Sequence, residues 1–269
     1  MTQVAAPARR AANSNVMAGF ARFGLAARGF SYLVIGWLAV EIARGHGHEQ
    51  ANQKGALADL ARHSYGLTLL WLLGLGFAAY SIWRLSEAAF GVTGEGRKAG
   101  PRIQSLFRGI AYAVLCVTTF SFIAGRPGQD QSQQQATFTA RLLRHTGGQW
   151  LVAIVGLAVV AVGIALIVEG VTRTFTKHLR MRELRGATRT AVVRLGMVGT
   201  IARGAVFALA GGLVVDAAIT VNPQRSTGLD GALRTLADRA YGPWILGAFA
   251  AGLIAFGLYG FACARWART

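Results

Sequence analysis

The sequence predicts an all-α membrane protein whose six transmembrane helices form three parallel two-helix repeats in a pseudo-threefold arrangement. The first observation is composition: the 269 residues are 53% hydrophobic and 14% charged, whereas soluble domains carry about 25% charged residues. The second is the grouping of apolar residues into six stretches. The third is the dipeptide Arg-Gly, which recurs near the start of every other stretch, with the arginines Arg28, Arg108 and Arg203.

The six apolar stretches are each long enough for a helix that crosses the ~30 Å of a bilayer core. They lie at about 20–43, 67–88, 103–124, 149–170, 196–220 and 243–264. Helices are predicted because open strands would leave backbone groups unpaired in lipid. The loops between paired spans contain leucines three residues apart, which is typical of short amphipathic interfacial helices.

A repeated order of features divides the chain after a flexible tail over residues 1–18. The three repeats share one membrane domain: residues 19–92, 103–176 and 195–266. The second span of each repeat follows a glycine: Gly66, Gly148 and Gly242. Each repeat has two spans, so successive repeats enter the bilayer in the same direction and are related by an axis along the membrane normal. We therefore expect the three arginines at one depth.

Acidic residues recur near the cytoplasmic ends of the second spans. Glu87 and Glu169 each lie twenty-one residues after their glycine, and Cys263 occupies the third equivalent position. We expect an intramembrane charged layer in which these acids contact the repeated arginines, with one arginine left without its acid. Two interpretations stay open: the arginines snorkel or pair for structural reasons, or they contact an anion or substrate.

Glu41 and Asp216 define an outer acidic position, thirteen residues after their arginines, where the second repeat has Ser121. Thirteen helical residues span roughly 20 Å, so these acids cannot reach the arginine of their own helix. We expect them to meet arginines of the surface helices: Arg44, Arg62, Arg144 or Arg239.

The distribution of charge indicates orientation and partners. Sixteen of the 28 Lys and Arg residues lie on the side of the two termini, seven of them in residues 171–194, which are long enough for an interfacial helix. The positive-inside rule therefore places both termini in the cytoplasm. The net charge is +17, and the basic residues that produce it flank the apolar spans instead of lining one polar face. This distribution favours anionic lipid headgroups over nucleic acid as a partner.

No motif in the chain names a reaction, so we expect no enzyme activity, no catalytic residues and no cofactor. A serine hydrolase would need a Gly-x-Ser-x-Gly turn and a His-acid pair, and none is present. His46, His48 and Glu49 could chelate a metal, but a site needs three or four ligands, and we expect a solvated turn there and no metal.

The three Arg-Gly pairs, in the contexts Ala27-Arg28-Gly29-Phe30, Phe107-Arg108-Gly109-Ile110 and Ala202-Arg203-Gly204-Ala205, together with the three glycines heading the second spans, resemble the bacterial family DUF1206. The resemblance covers about residues 19–266. It implies three tandem helix pairs in the cytoplasmic membrane of a bacterium, and it implies no reaction, because the family has no established one.

Two function classes remain. The favoured one is a non-enzymatic membrane component that binds lipid, a protein partner or a second copy of itself. The alternative is a channel or transporter for a small solute or ion, with the arginines near the cytoplasmic side. A pore lined by Arg108 or Arg203 would favour transport, whereas a bundle filled by packed side chains would favour the first class.

Overall fold

The computed structural model of the chain describes residues 15–45, 51–91, 98–126, 131–145, 147–226, 230–231, 233–234 and 241–267. Apart from one isolated β-bridge, its described residues form helices and connecting turns. The α-helices are α1 (Asn15–Ala43), α2 (Gln53–Ala61), α3 (Gly66–Phe90), α4 (Ala99–Ile123), α5 (Gln131–Leu143), α6 (Gly148–Val171), α7 (Gly186–Ile219) and α8 (Gly242–Trp266).

Six of these helices are long and apolar enough to cross a membrane: α1, α3, α4, α6, α7 and α8. The prediction of an all-α protein with six spans is confirmed. The second helix of every repeat begins at the glycine expected from the sequence. Within the described residues α1 extends from Asn15, so residues 15–18 of the expected tail are helical, and residues 1–14 lie outside the described residues.

The three closest helix interfaces each join two different repeats, and each contains the glycine of an Arg-Gly pair. A methyl group at Gly29 of α1 would lie 2.8 Å from the carbonyl oxygen of Gly257 in α8. One at Gly204 of α7 would lie 2.7 Å from the carbonyl oxygen of Gly163 in α6. A methyl group at Gly109 of α4 would lie 2.7 Å from the Cδ2 atom of the Leu85 side chain in α3. Repeat 1 thus packs on repeat 3, repeat 3 on repeat 2, and repeat 2 on repeat 1, which is the contact cycle of a pseudo-threefold arrangement.

Small residues also bring together the two helices within repeats 1 and 3. Gly76 of α3 contacts Ala27 of α1, and the equivalent Gly252 of α8 contacts Ala202 of α7. Small side chains at a crossing let helix backbones approach closely in lipid, where van der Waals packing holds helices together. The six spans are therefore arranged in a ring, in which the order of neighbouring helices is α4, α3, α1, α8, α7 and α6.

The ring is open between its two ends, α4 and α6, which are the two helices of repeat 2. Both are described along their whole length, and they form no packing interface comparable to the others. At the positions equivalent to Gly24 and Ala27 of α1, the helix α4 carries Gln104 and Phe107. These larger side chains prevent the close crossing that repeats 1 and 3 use.

The polar segments between paired helices meet at one end of the bundle, here called the cap end. The backbone N–H of Ala51 donates to the buried carboxylate of Asp230 over 2.8 Å, which joins repeats 1 and 3. Thr139 donates to Ser226, which joins repeats 2 and 3, and Lys54 donates to Gln134, which joins repeats 1 and 2. The two described cap helices, α2 and α5, lie between paired spans, where the sequence predicts short helices.

The opposite end, here called the basic end, holds the connection between α6 and α7. An interfacial helix was the expectation for residues 171–194, and this was wrong. A short 3-10 helix, Thr174–His178, is followed by turns, and α7 already begins at Gly186. Burial drives this fold: Phe175 packs edge-on against Tyr259 of α8, and Arg180 donates its backbone N–H to the carbonyl of Trp266. Most of the basic side chains on this segment are exposed.

Candidate functional site

The three repeated arginines lie at one height in the bundle. Arg28, Arg108 and Arg203 stand fifteen or sixteen residues before the cap-end terminus of their helices. At a rise of 1.5 Å per residue this is a distance of about 23 Å. A hydrocarbon core of ~30 Å measured from the cap end would place the guanidinium groups one or two turns inside the opposite boundary.

Arg28 and Arg203 approach the same aromatic ring. The guanidinium carbon of Arg28 lies 4.9 Å from the ring centre of Phe256, and that of Arg203 lies 5.0 Å from it. Arg203 also lies within 5.5 Å of Tyr32 and 5.2 Å of Phe207. Cation–π attraction of this kind is worth about 0.5–2 kcal/mol per contact, depending on desolvation.

Two buried atoms of the layer lack hydrogen-bond partners. The Nε atoms of Arg28 and Arg203 are buried, and neither has a partner among the described residues. A buried N–H group without an acceptor costs about 1–3 kcal/mol, and more when it belongs to a charged group. The described protein groups thus leave the two guanidinium groups partly unsatisfied.

Arg84 of α3 is a fourth cation that the sequence reasoning missed. It lies three residues before Glu87, and its Nη1 atom donates to Glu87 Oε2 over 2.7 Å. Its guanidinium carbon also stacks 4.0 Å from the ring centre of Trp83. Arg28 and Arg84 share the hydroxyl oxygen of Tyr80, and Arg28 and Arg203 share the ring of Phe256. These three guanidinium groups, together with that of Arg108 at the same height on α4, are here called the arginine layer.

Tyr80 lies at the centre of this layer and is fully buried. Its hydroxyl oxygen accepts hydrogen bonds from Arg28 Nη1 over 3.3 Å and from Arg84 Nε over 3.1 Å. Its ring packs 4.3 Å from the ring of Tyr112. Tyr112 is the repeat equivalent of Tyr32 and Phe207, since each lies four residues after its arginine. One helical turn thus places an aromatic ring beside every Arg-Gly pair.

The expected pairing of Glu87 and Glu169 with the repeated arginines is not what the structure contains. The buried carboxylate of Glu87 accepts from Arg84 of its own helix and from Ser105 of α4. Glu169 is half-buried near Tyr259 and forms no ion pair with any described residue. An acid three residues along the same helix is already in reach of Arg84, so it pairs locally. Arg28, Arg108 and Arg203 form no ion pairs within the described ranges.

The outer acids lie near the cap end, away from the layer. Asp216 accepts from Arg225 Nη1 over 2.6 Å, an exposed pair that was not among the expected partners. Arg225 is the last residue of a one-turn 3-10 helix, Pro223–Arg225, that packs against the end of α7. Glu41 is half-exposed and makes no ion pair with the described residues, while Arg239 lies outside them.

Other chemistry is sparse in the described chain. No group of three His, Cys, Asp or Glu side chains with metal-binding geometry occurs among the described residues. His46, His48 and Glu49 lie outside those residues. Cys116 and Cys263 are free thiols. What the arrangement offers chemically is therefore a cationic, aromatic-lined cluster suited to holding an anion.

Comparisons with known proteins agree with the repeat. The family model described as "Domain of Unknown Function (DUF1206)" matches residues 23–91, 103–173 and 198–267. An uncharacterized protein of Bacillus subtilis (strain 168), YxxB, is 31% identical over 243 residues, which are 89% of this chain and 87% of that protein. No solved structure matches the chain significantly. The three tandem matches each contain one Arg-Gly pair and both helices of a repeat, and the chain belongs to the DUF1206 family.

Proposed function

We propose that this protein is a non-enzymatic component of the bacterial cytoplasmic membrane that binds an anionic lipid headgroup at the arginine layer. The basic end faces the cytoplasm in this proposal, in accord with the positive-inside rule. The observation that carries the proposal is the charge of the layer: of its four guanidinium groups only that of Arg84 is paired with a described carboxylate, Glu87, and the buried Nε atoms of Arg28 and Arg203 lack acceptors among the described residues.

The attraction between an anion and the arginine layer can be estimated from Coulomb's law. At ~5 Å and an effective dielectric constant of ~20, one negative charge gains about 3 kcal/mol from each arginine. A phosphodiester also supplies the acceptors that Arg28 and Arg203 lack, and charge-assisted hydrogen bonds are roughly twice as strong as neutral ones. Without an anion, the same arginines repel one another in a poorly solvated site, which costs stability.

The surface around the layer supports a lipid as the source of the anion. The basic end exposes six of the seven basic side chains of residues 171–194: Arg173, Lys177, Arg182 and Arg185 in the connection between α6 and α7, and Arg189 and Arg194 in the first turns of α7. Each such charge near a bilayer attracts anionic lipid by about 1 kcal/mol. These side chains would raise the local concentration of acidic headgroups beside the layer.

The cap-end half of the bundle favours binding over passage. Its core side chains are almost completely buried, among them Ile35, Leu38, Leu246 and Leu233. The hydrogen bonds of the cap, including the bond from Ala51 to Asp230, tie the three repeats together at this end. A filled half-bundle is what a holding site needs, whereas a channel needs a continuous polar path.

Native mass spectrometry of the full chain with phosphatidylglycerol or phosphatidylcholine tests the proposal. We expect one retained phosphatidylglycerol and weaker retention of phosphatidylcholine. Arg203→Gln should lower affinity for phosphatidylglycerol by about 2 kcal/mol, roughly 30-fold, because a charge-assisted contact is lost. Arg189→Gln, which removes an exposed charge outside the layer, is the matched control.

Two further readouts separate the alternatives. Inorganic phosphate at millimolar concentration should not displace the lipid; if it does, the site takes a free anion. A purely structural role for Arg203 predicts that Arg203→Gln destabilises the protein in lipid-free detergent. In our proposal the lipid-free variant loses its cation–π contacts together with one uncompensated buried charge, so its stability stays close to that of the parent. Equal lipid affinity of both variants would refute the proposal.

A further inference from the structure

The opening between α4 and α6 distinguishes repeat 2 from its two partners. In repeats 1 and 3 the residue before the arginine is alanine, and it packs on a glycine ten residues into the second helix. In repeat 2 the same two positions are Phe107 and Ala158. The sequence of this repeat therefore keeps its two helices apart while the other contacts of the ring are preserved.

Burial at equivalent positions shows what the opening exposes. Tyr80 and Phe256, fourteen residues after the glycines of α3 and α8, are 0% and 3% exposed. Their equivalent in α6 is Val162, which is 51% exposed, and Phe107 on the facing helix is 69% exposed. These two side chains lie where the other repeats form a buried crossing, so they flank the opening.

The opening lies at the height of the arginine layer, because Phe107 directly precedes Arg108. The α6 flank is apolar, since α6 carries no charged side chain before Glu169, and the α4 flank presents Phe107 with Gln104 one turn away. An occupant of this site must therefore be apolar along the opening and anionic where it meets the layer. A lipid with a phosphate headgroup satisfies both conditions, whereas a free anion satisfies only the second.

We propose that the opening between α4 and α6 is a lateral portal that holds an acyl chain of an anionic lipid, whose headgroup enters the arginine layer from the bilayer. This inference rests on the proposed function and specifies how its ligand reaches the site. The open side of the ring is the membrane-facing entrance. The cap end, which the hydrogen bonds among the three repeats tie together, plays no part in ligand entry.

Photolabelling in nanodiscs tests the portal. The probe is phosphatidylglycerol with a diazirine in its acyl chain, and phosphatidylcholine with the same diazirine chain is the control lipid. We expect phosphatidylglycerol to label α4 and α6 around Phe107 and Val162 several-fold more than phosphatidylcholine does. The exposed face of α3 at Leu72 reports ordinary annular lipid, and both probes should label it equally. Arg108→Gln should reduce portal labelling to the annular level.

A ring-closing variant provides a second, independent arm. Gln104→Gly with Phe107→Ala installs in α4 the small residues of repeats 1 and 3, so it should let α4 and α6 approach and should lower labelling of Val162. Equal labelling at Val162 and Leu72 in the parent protein would overturn the portal. Crosslinks from Val162 to a second copy of the chain would overturn it as well. If phosphatidylglycerol is retained in an Arg203-dependent manner without portal labelling, the proposed function stands and the portal alone falls.

Discussion

Alanine substitutions at the glycines of the Arg-Gly pairs test whether close approach of the helices holds the repeats together. In Gly29→Ala and Gly204→Ala the new methyl group meets a backbone carbonyl oxygen of the opposing helix, at 2.8 Å and 2.7 Å. Backbone atoms cannot rotate away, so the two helices must separate. In Gly109→Ala the nearest atoms belong to the side chain of Leu85, which has other rotamers.

The expected magnitudes follow from these contacts. Overpacking in a well-packed core costs about 1–3 kcal/mol, and alanine recovers ~0.5–1 kcal/mol of helix propensity relative to glycine. We therefore expect Gly29→Ala and Gly204→Ala to destabilise the protein by about 1–2 kcal/mol, with a smaller effect for Gly109→Ala. Gly212→Ala is the control, because a methyl group there meets no atom within 4 Å; it should be neutral or slightly stabilising.

Unfolding free energies measured in one lipid bicelle, by steric trapping or by detergent titration, provide the comparison. The order of destabilisation should be Gly29→Ala and Gly204→Ala, then Gly109→Ala, then Gly212→Ala. If Gly29→Ala and Gly212→Ala have the same stability, the close backbone approach does not hold the repeats together. The contact cycle would then be an incidental feature, and the Arg-Gly pairs would not hold the pseudo-threefold packing together.

Two further substitutions test the site and the cap. Tyr80→Phe removes the acceptor shared by Arg28 and Arg84, so it should lower the unfolding free energy by about 1–3 kcal/mol; an unchanged value would mean that the hydroxyl is not needed. Asp230→Ala removes the buried acceptor for the N–H of Ala51. Amide hydrogen exchange should therefore accelerate at the start of α2 and stay unchanged in α3, and uniform acceleration would contradict a local role.

The sequence predicts the framework of the layer well because the repeat carries it. Three arginines in one register, on helices that enter the membrane in the same direction, must lie at one height whatever the details of packing. The aromatic side chain four residues after each arginine was also predictable from the sequence, since Tyr32, Tyr112 and Phe207 each lie one helical turn after their arginine. That signal was missed because it lies within apolar segments where aromatic residues are common.

The partners of the arginines could not be predicted from the repeat, because they break it. Arg84 has Leu166 and Gly260 as its repeat equivalents, so it belongs to no pattern. Its position three residues before Glu87 decides the pairing, since a contact along one helix needs no ordering of a second helix. The repeat alone predicts that Glu87 pairs with an arginine of another helix. Glu87 instead pairs with Arg84, which is already in reach on its own helix.

The proposed function therefore depends equally on the symmetry and on its interruption. Pseudo-threefold packing brings three like charges together, an arrangement that is unfavourable unless an anion compensates it. A closed ring would confine that charge behind buried helix crossings and leave a bulky amphiphile no entrance from the bilayer. In repeat 2 the larger residues Gln104 and Phe107 remove one crossing, at the height of Arg108. In the proposed lipid-binding role, the two closed repeats help to concentrate the charge and the open repeat admits the lipid to it, whereas three identical repeats would provide only one of these properties.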